Sequence, residues 1–259
     1  MNSFKIPIVL FIFKRSDTVL KILERIEEVN PEKVYLISDA GRDEKEHKLV
    51  LQTREIIENR INWDCEIVKN YAQSNKGVYD RIGLGAKWVF NREEKAIFLE
   101  DDNLPQITFF KYCEELLEHY CSDTRILWVC GTNYLQKYEP EDGSSYVFTK
   151  NLMPCGWASW AHKFNKFYDG ELELLSDEII KNKLRDEYKN KSLFRQQWYS
   201  IKATREKIIN DKSKASWDYQ MAFSVRVHGL YGISPKYNQI ENIGVDEFST
   251  HGGNSYRKV

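Results

Sequence analysis

Short apolar runs alternate with amphipathic helical segments through the first half of this chain, and that alternation restricts its fold more than any other feature. Residues 6–13 are continuously apolar and read as a buried strand. Lys14-Arg15-Ser16-Asp17 then supplies a cap for a helix in which Val19, Leu20, Leu23, Ile26 and Val29 recur at helical spacing, and Asn30-Pro31 stops it. Residues 34–37 form a second strand ending in Ser38-Asp39-Ala40-Gly41-Arg42, followed by a charged helix over about 44–60 and a short strand at 66–68. A polar loop at 70–77 leads to a helix at 78–90 carrying Ile82, Leu84 and Trp88. Strands at 97–99 and 126–130 flank a helix at 107–120. This rhythm predicts a Rossmann-like α/β unit: a mixed, mainly parallel sheet flanked by helices and joined by right-handed crossovers.

The second half lacks that rhythm. Residues 134–160 are aromatic and contain glycine, charged helical patterns occupy roughly 176–209, and another helix begins near Trp217. Residues 234–259, rich in Gly, Asn and Ser, read as an extended tail. A formal net charge of −1 argues against electrostatic binding of nucleic acid, which requires a basic stripe. No apolar run approaches the length of a membrane span, and Lys14-Arg15 follow the first apolar run where a signal peptide would have them precede it. The five cysteines include no Cys-x-x-Cys pair, so reduced thiols in a cytoplasmic protein are expected.

The strand at 97–99 ends in Glu100-Asp101-Asp102. Ligands of open α/β sheets bind at the carboxyl ends of the strands, so this acidic cluster falls where a site is expected. Adjacent carboxylates repel unless a cation or hydrogen-bond donors compensate them, and oxygen-only ligation suits Mg²⁺ or Mn²⁺ bridged to substrate phosphates. No Walker motif and no G-x-G-x-x-G follows the first strand, so a bound nucleotide must be held by polar strand ends. Arg15 is placed to meet phosphate or a base edge, and Asp39 to accept hydrogen bonds from base or ribose. Either alone reads equally as a cap or a surface charge, but with Asp102 they occupy three strand ends facing one crevice. Asp218, beside Trp217 at a helix start, reads as a general base or as an N-cap. His251, in the Gly-rich tail, is a candidate for closing the site or ligating a metal. Trp157 and Trp217, from the aromatic half, are candidates for the acceptor side.

Pro7-Ile8-Val9-Leu10 with Arg15-Ser16, then Ile37-Ser38-Asp39-Ala40-Gly41, then Phe98-Leu99-Glu100-Asp101-Asp102-Asn103-Leu104-Pro105 with Phe109-Phe110, resembles the N-acetylglucosaminyltransferase I family. The resemblance continues through Trp217-Asp218 and Ser249-Thr250-His251-Gly252, in the family's order. Two features depart from the family: Tyr219 stands where its second Asp follows Trp-Asp, and the membrane anchor of the Golgi enzymes is absent, which points to a soluble bacterial-type enzyme. The resemblance implies a GT-A fold and a metal-dependent, inverting glycosyltransferase. Residues 1–135 would bind the nucleotide-sugar donor and residues 136–259 the glycan or glycolipid acceptor, packed as one unit. Asp102 would hold Mn²⁺ or Mg²⁺ against the diphosphate, Glu100 and Asp101 would contact nucleotide or sugar, and Arg15 and Asp39 would hold uridine. Asp218 would be the base. By analogy such enzymes build bacterial surface polysaccharide, with membrane proximity through a lipid-linked acceptor. Two competing readings stay open. A sugar-1-phosphate nucleotidyltransferase usually carries a glycine-rich loop after the first strand, and Phe13-Lys14-Arg15-Ser16 has no glycine. A catalytically silent glycan-binding module would suit the aromatic half, but not the retention of both Asp102 and Asp218.

Overall fold

The computed structural model describes residues 3–244. Ten strands and eight α-helices follow in chain order among them: β1 (Ile8–Ile12), α1 (Ser16–Val29), β2 (Lys33–Ser38), α2 (Glu44–Arg60), β3 (Glu66–Tyr71), α3 (Gly85–Phe90), β4 (Lys95–Glu100), β5 (Asn103–Pro105), α4 (Ile107–His119) and β6 (Ile126–Cys130). The remainder are β7 (Tyr146–Thr149), β8 (Trp157–Trp160), α5 (Ala161–Phe167), α6 (Glu178–Asp186), α7 (Lys191–Asn210), α8 (Asp218–Val227), β9 (Tyr231–Pro235) and β10 (Ile240–Asn242). Eight strands form one sheet in the order β3-β2-β1-β4-β8-β6-β9-β7, and β5 pairs with β10 in a separate ribbon. The neighbours β3-β2, β2-β1, β1-β4 and β6-β9 are parallel, while β8 runs antiparallel between β4 and β6 and β7 antiparallel to β9. The fold is therefore the expected mixed, mostly parallel α/β sheet flanked by helices.

Every residue of β1 is buried, which requires a helical layer on each face. Alternate side chains divide accordingly: Ile8, Leu10 and Ile12 pack with Val19, Ile22, Leu23 and Ile26 of α1 and with Phe109 and Phe110 of α4. Val9 and Phe11 pack on the opposite face with Ala86, Val89 and Phe90 of α3 and Met221 of α8. A third cluster joins α6 and α7 to α8 through Leu184, Ile201, Ile208 and Phe223.

Several sequence expectations change. The N-cap of α1 is Arg15, with no side-chain cap bond, and Asp17 is exposed. Thr18 fastens this turn instead, its hydroxyl donating to Arg15 O at 3.1 Å and Asp101 O at 2.5 Å. The helix expected at 78–90 opens with a π-helical turn, Tyr79–Leu84, before α3. The expected tail from residue 234 is partly sheet, because β9 extends to Pro235 and β10 pairs with β5. Ser249, Thr250 and His251 lie outside the described residues, as do Asp246 and Glu247.

Candidate active site

Because β1, β2 and β4 are parallel neighbours, their carboxyl ends open on one edge. There Arg15 Nη1 meets Asp101 Oδ1 at 3.2 Å and Asp102 Oδ2 at 3.7 Å, and all three side chains are at most 23% exposed. Burial, reinforced by Asp102, Asp101 and Asp218, holds the Glu100 carboxyl well above the usual carboxylate range. Burial and Asp102 push Asp101 up to about 6, against the pull of Arg15.

Asn103, 1% exposed, shapes the acidic turn. Its Oδ1 accepts from Gly156 N at 2.9 Å and Glu100 N at 3.3 Å, and its Nδ2 donates to Asp102 Oδ1 at 2.6 Å. The ribbon strand β10 leads into the same turn: Ile243 N donates to Asp102 O at 2.9 Å, and Arg15 Nη2 to Gly244 O at 3.5 Å. A side chain at Gly244 would place its Cβ 2.6 Å from Asp102 Oδ2, so only glycine fits there without displacement.

The donor set is hard oxygen, which fits Mg²⁺ or Mn²⁺. Among the described residues no three His, Cys, Asp or Glu side chains converge as a cage. An ion of this kind can be held by one or two carboxylates and complete its shell from substrate phosphate and water.

Asp39 ends β2 with both oxygens engaged. Oδ1 accepts from Ala40 N at 2.8 Å and Lys76 N at 2.9 Å, and Oδ2 from Gly77 N at 2.8 Å and Asn75 Nδ2 at 3.1 Å. A carboxylate has about four acceptor positions, so the side chain is committed to the 75–77 loop. Gly77 adopts φ +81°, and its backbone packs so closely on Ser213 that a Cβ would overlap the carbonyl there. Arg54, which the sequence reading passed over, supports the same strand end. Its buried guanidinium donates to Ser38 Oγ at 2.9 Å and Asp39 O at 2.9 Å, and lies 4.5 Å from the Tyr71 ring centre. The signal was present: Arg54 falls on the buried stripe of α2 with Val50 and Ile57.

Glu46 of α2 fastens the loop after β1. It meets Lys14 Nζ at 2.7 Å and accepts from Arg42 Nε and Arg42 N, each at 2.8 Å. The Arg42 guanidinium, with help from Lys14, holds its carboxyl at about 2, below the ordinary 4.5. A carboxylate depressed on folding contributes stability that is complete above its unfolded value and lost as pH falls through the folded one. Glu46→Gln is expected to cost about 1–3 kcal/mol at neutral pH. The deficit relative to wild type should shrink between pH ~4.5 and ~2 in urea titrations; a deficit independent of pH would contradict this account.

Asp218 opens α8 at the same edge, partly buried and close enough to raise Glu100. It is the first helical residue; the N-cap is Trp217, so the capping alternative for Asp218 does not hold. Trp157 and Trp217, expected on the acceptor side, are 1% and 4% exposed. Trp157 stacks on Phe98 at 4.0 Å and Trp128 at 4.2 Å, and Trp217 lies 5.7 Å from Trp157. Rings covered on their faces by other rings are core, and they offer a sugar no platform. Cys155, not singled out from sequence, adjoins the site, since the next residue, Gly156, donates its N–H to Asn103 Oδ1. The Cys155 thiol is raised by burial and then by Glu100 and Asp102.

No protein-family model and no curated protein matches the chain by sequence. Solved structures do resemble it. An apo UDP-glucose pyrophosphorylase is 12% identical over 92% of this chain and 93% of its own, with a TM-score of 0.47. The mannosyltransferase PcManGT from Pyrobaculum calidifontis, in complex with GDP-Man and Mn²⁺, is 10% identical over 88% of this chain and 70% of its own, with a TM-score of 0.44. Glucosyl-3-phosphoglycerate synthase from Mycobacterium tuberculosis, in complex with Mn²⁺, UDP and phosphoglyceric acid, is 13% identical over 61% and 56%, with a TM-score of 0.36. These neighbours are nucleotide-sugar transferases and nucleotidyltransferases. Likeness this distant carries no argument about chemistry, which rests on the residues themselves.

Proposed function

We propose that this chain is a metal-dependent, inverting glycosyltransferase of the N-acetylglucosaminyltransferase I type, moving a sugar from a UDP-linked donor to an acceptor hydroxyl. The observation that carries the reading is the gathering of Glu100, Asp101, Asp102 and Asp218 at one strand edge, with Arg15 seated against two of them. A structural role would not concentrate mutually repelling carboxylates where they raise the proton affinity of Glu100 and Asp101. In this reading residues 1–135 hold the donor and residues 136–259 the acceptor. Asp102 holds Mn²⁺ or Mg²⁺, with Asp101 and Glu100 facing nucleotide and sugar. A divalent ion bound there supplies positive charge against the departing diphosphate. Arg15 adds a fixed guanidinium on the same side. Asp39 contributes to the uridine end through the loop it holds. Asp218 accepts the proton of an acceptor hydroxyl attacking the anomeric carbon opposite the leaving group, and a single displacement inverts that carbon. A glycan or glycolipid acceptor and a place in bacterial surface polysaccharide synthesis, in the cytoplasm, complete the reading by analogy.

Melting curves test it. UDP with Mn²⁺ at a hundred times its dissociation constant should add about 2.7 kcal/mol, roughly 5–10 °C for a chain of this size. ADP and GDP should add less, and UDP without metal little. Equal shifts for the three nucleotides would remove the uridine assignment and favour a nucleotidyltransferase.

A further inference from the structure

The chain as a whole has a formal net charge of −1, yet residues 176–214 hold eleven Lys and Arg against six Asp and Glu. This local excess of about +5 coincides with exposed apolar groups. Tyr199, Ile179 and Ile209 are 76%, 74% and 70% exposed, three of the four most exposed large hydrophobic side chains among the described residues. Lys183, Lys189, Lys191, Arg195, Lys202 and Lys207 are exposed and make no ion pair with any described residue.

Helix geometry puts both properties on one face. At about 100° per residue, Lys191, Arg195, Tyr199, Lys202 and Ile209 of α7 fall within a sector of about 80°. Ile201, Thr204 and Ile208 are buried on the side that packs toward α8. Glu206 joins the outward face of α7, and with Glu178, Lys181, Trp198, Lys202 and Ile209 it lines a groove of about 360 Å³ between α6 and α7. Core packing explains the inner face and leaves the outer one without a reason. Cations interleaved with an aromatic and an aliphatic side chain match an anionic bilayer: charge meets the headgroups while Tyr199 and Ile209 enter the acyl boundary.

We infer that the outward face of α6 and α7 docks on an anionic lipid bilayer. No helix among the described residues is long and apolar enough to cross a membrane, so the contact is peripheral. The position is useful. The chain passes from α7 through residues 212–214, against the loop held by Asp39, to Asp218 at the head of α8. Docking would therefore hold the acceptor side of the proposed site beside a membrane surface.

Vesicle flotation tests this without nucleotide or metal, so its outcome is separate from that of the transferase reading. Phosphatidylcholine vesicles containing phosphatidylglycerol should carry the protein, pure phosphatidylcholine vesicles should not, and added salt should release it. Each basic residue near such a surface is worth about fivefold in affinity, so Arg195→Glu with Lys202→Glu should weaken binding roughly thirtyfold or more. Tyr199→Ser with Ile209→Ser should weaken it while leaving the salt dependence in place. Both variants alter exposed side chains and should melt like wild type. Equal binding to neutral vesicles, or undiminished binding by the charge-reversed variant, would overturn the inference. So would retention on RNA but not on vesicles, which would make nucleic acid the partner.

Discussion

Asp218→Asn should lower sugar transfer by roughly 10²–10⁴-fold, the usual contribution of a positioned general base. Binding of UDP-sugar should be unchanged, since the base acts on the acceptor and not on the diphosphate. The cost in stability should also be small. Trp217, not Asp218, is the N-cap of α8, so the carboxylate contributes to the helix chiefly as a negative charge in its first turn. That is worth about 0.3–1 kcal/mol, and the relief of Glu100 offsets part of it. The informative set is calorimetry with the donor, a melting curve, and transfer to whichever acceptor the wild type glycosylates. Transfer at near wild-type rate would move the base elsewhere, and Asp246 and Glu247 would be examined next. A product that kept the donor's anomeric configuration would be as damaging, because a single displacement must invert it.

The second large effect is expected at Asp102. Asp102→Ala should abolish transfer and metal-dependent UDP binding, because the site then loses the carboxylate best placed to hold the ion against phosphate, a loss of about 10³-fold or more. Its stability reflects two opposed terms. Removing one of several repelling carboxylates is favourable, but alanine also leaves the Nδ2 of Asn103 without the acceptor at 2.6 Å. Asn103 is 1% exposed, and an unpaired buried donor costs about 1–3 kcal/mol, so the second term wins. Asp102→Asn separates them, since its amide oxygen can still accept from Asn103. We expect it to be more stable than Asp102→Ala and equally inactive. Mn²⁺-dependent UDP affinity that survives in both variants would exclude Asp102 from the metal site.

The sheet was legible where one residue type filled a whole run. Helix α2 at Glu44–Arg60 and strand β6 at Ile126–Cys130 were placed to the residue, because periodicity and apolar continuity are local properties. Strand β8 was not legible. Trp157-Ala158-Ser159-Trp160 is four residues long with no alternation, and what makes it a strand is the pair of open edges of β4 and β6 between which it lies. The same distance effect explains the tryptophans. Composition marked them as ligand-facing, whereas the stack of Phe98, Trp157, Trp128 and Trp217 draws members from four separate elements and their flanks. In the candidate site, Glu100, Asp101 and Asp102 announced themselves by their position after an apolar run. Gly156 did not, because its role is a hydrogen bond to Asn103 made across some fifty residues, and it is that bond which fixes Asn103 in the turn. Asp39 was seen, but its engagement by the 75–77 loop was not, since backbone amides leave no mark on sequence.

The insertion of β8 between β4 and β6 also bears on how the chain is made. Synthesis proceeds from the amino terminus, so β1 to β6 emerge before the strand that joins the two parts of their sheet. Until residue 160 has cleared the ribosome, the edges of Lys95–Glu100 and Ile126–Cys130 that β8 covers stay unpaired, and the other edge of Ile126–Cys130 stays unpaired until Tyr231–Pro235 emerges. Such edges pair readily with those of other nascent chains, and closing them requires contacts distant in sequence. The antiparallel strand that joins β4 to β6, and the later β9 that covers the far edge of β6, are thus the elements whose late arrival leaves apolar edges open during synthesis.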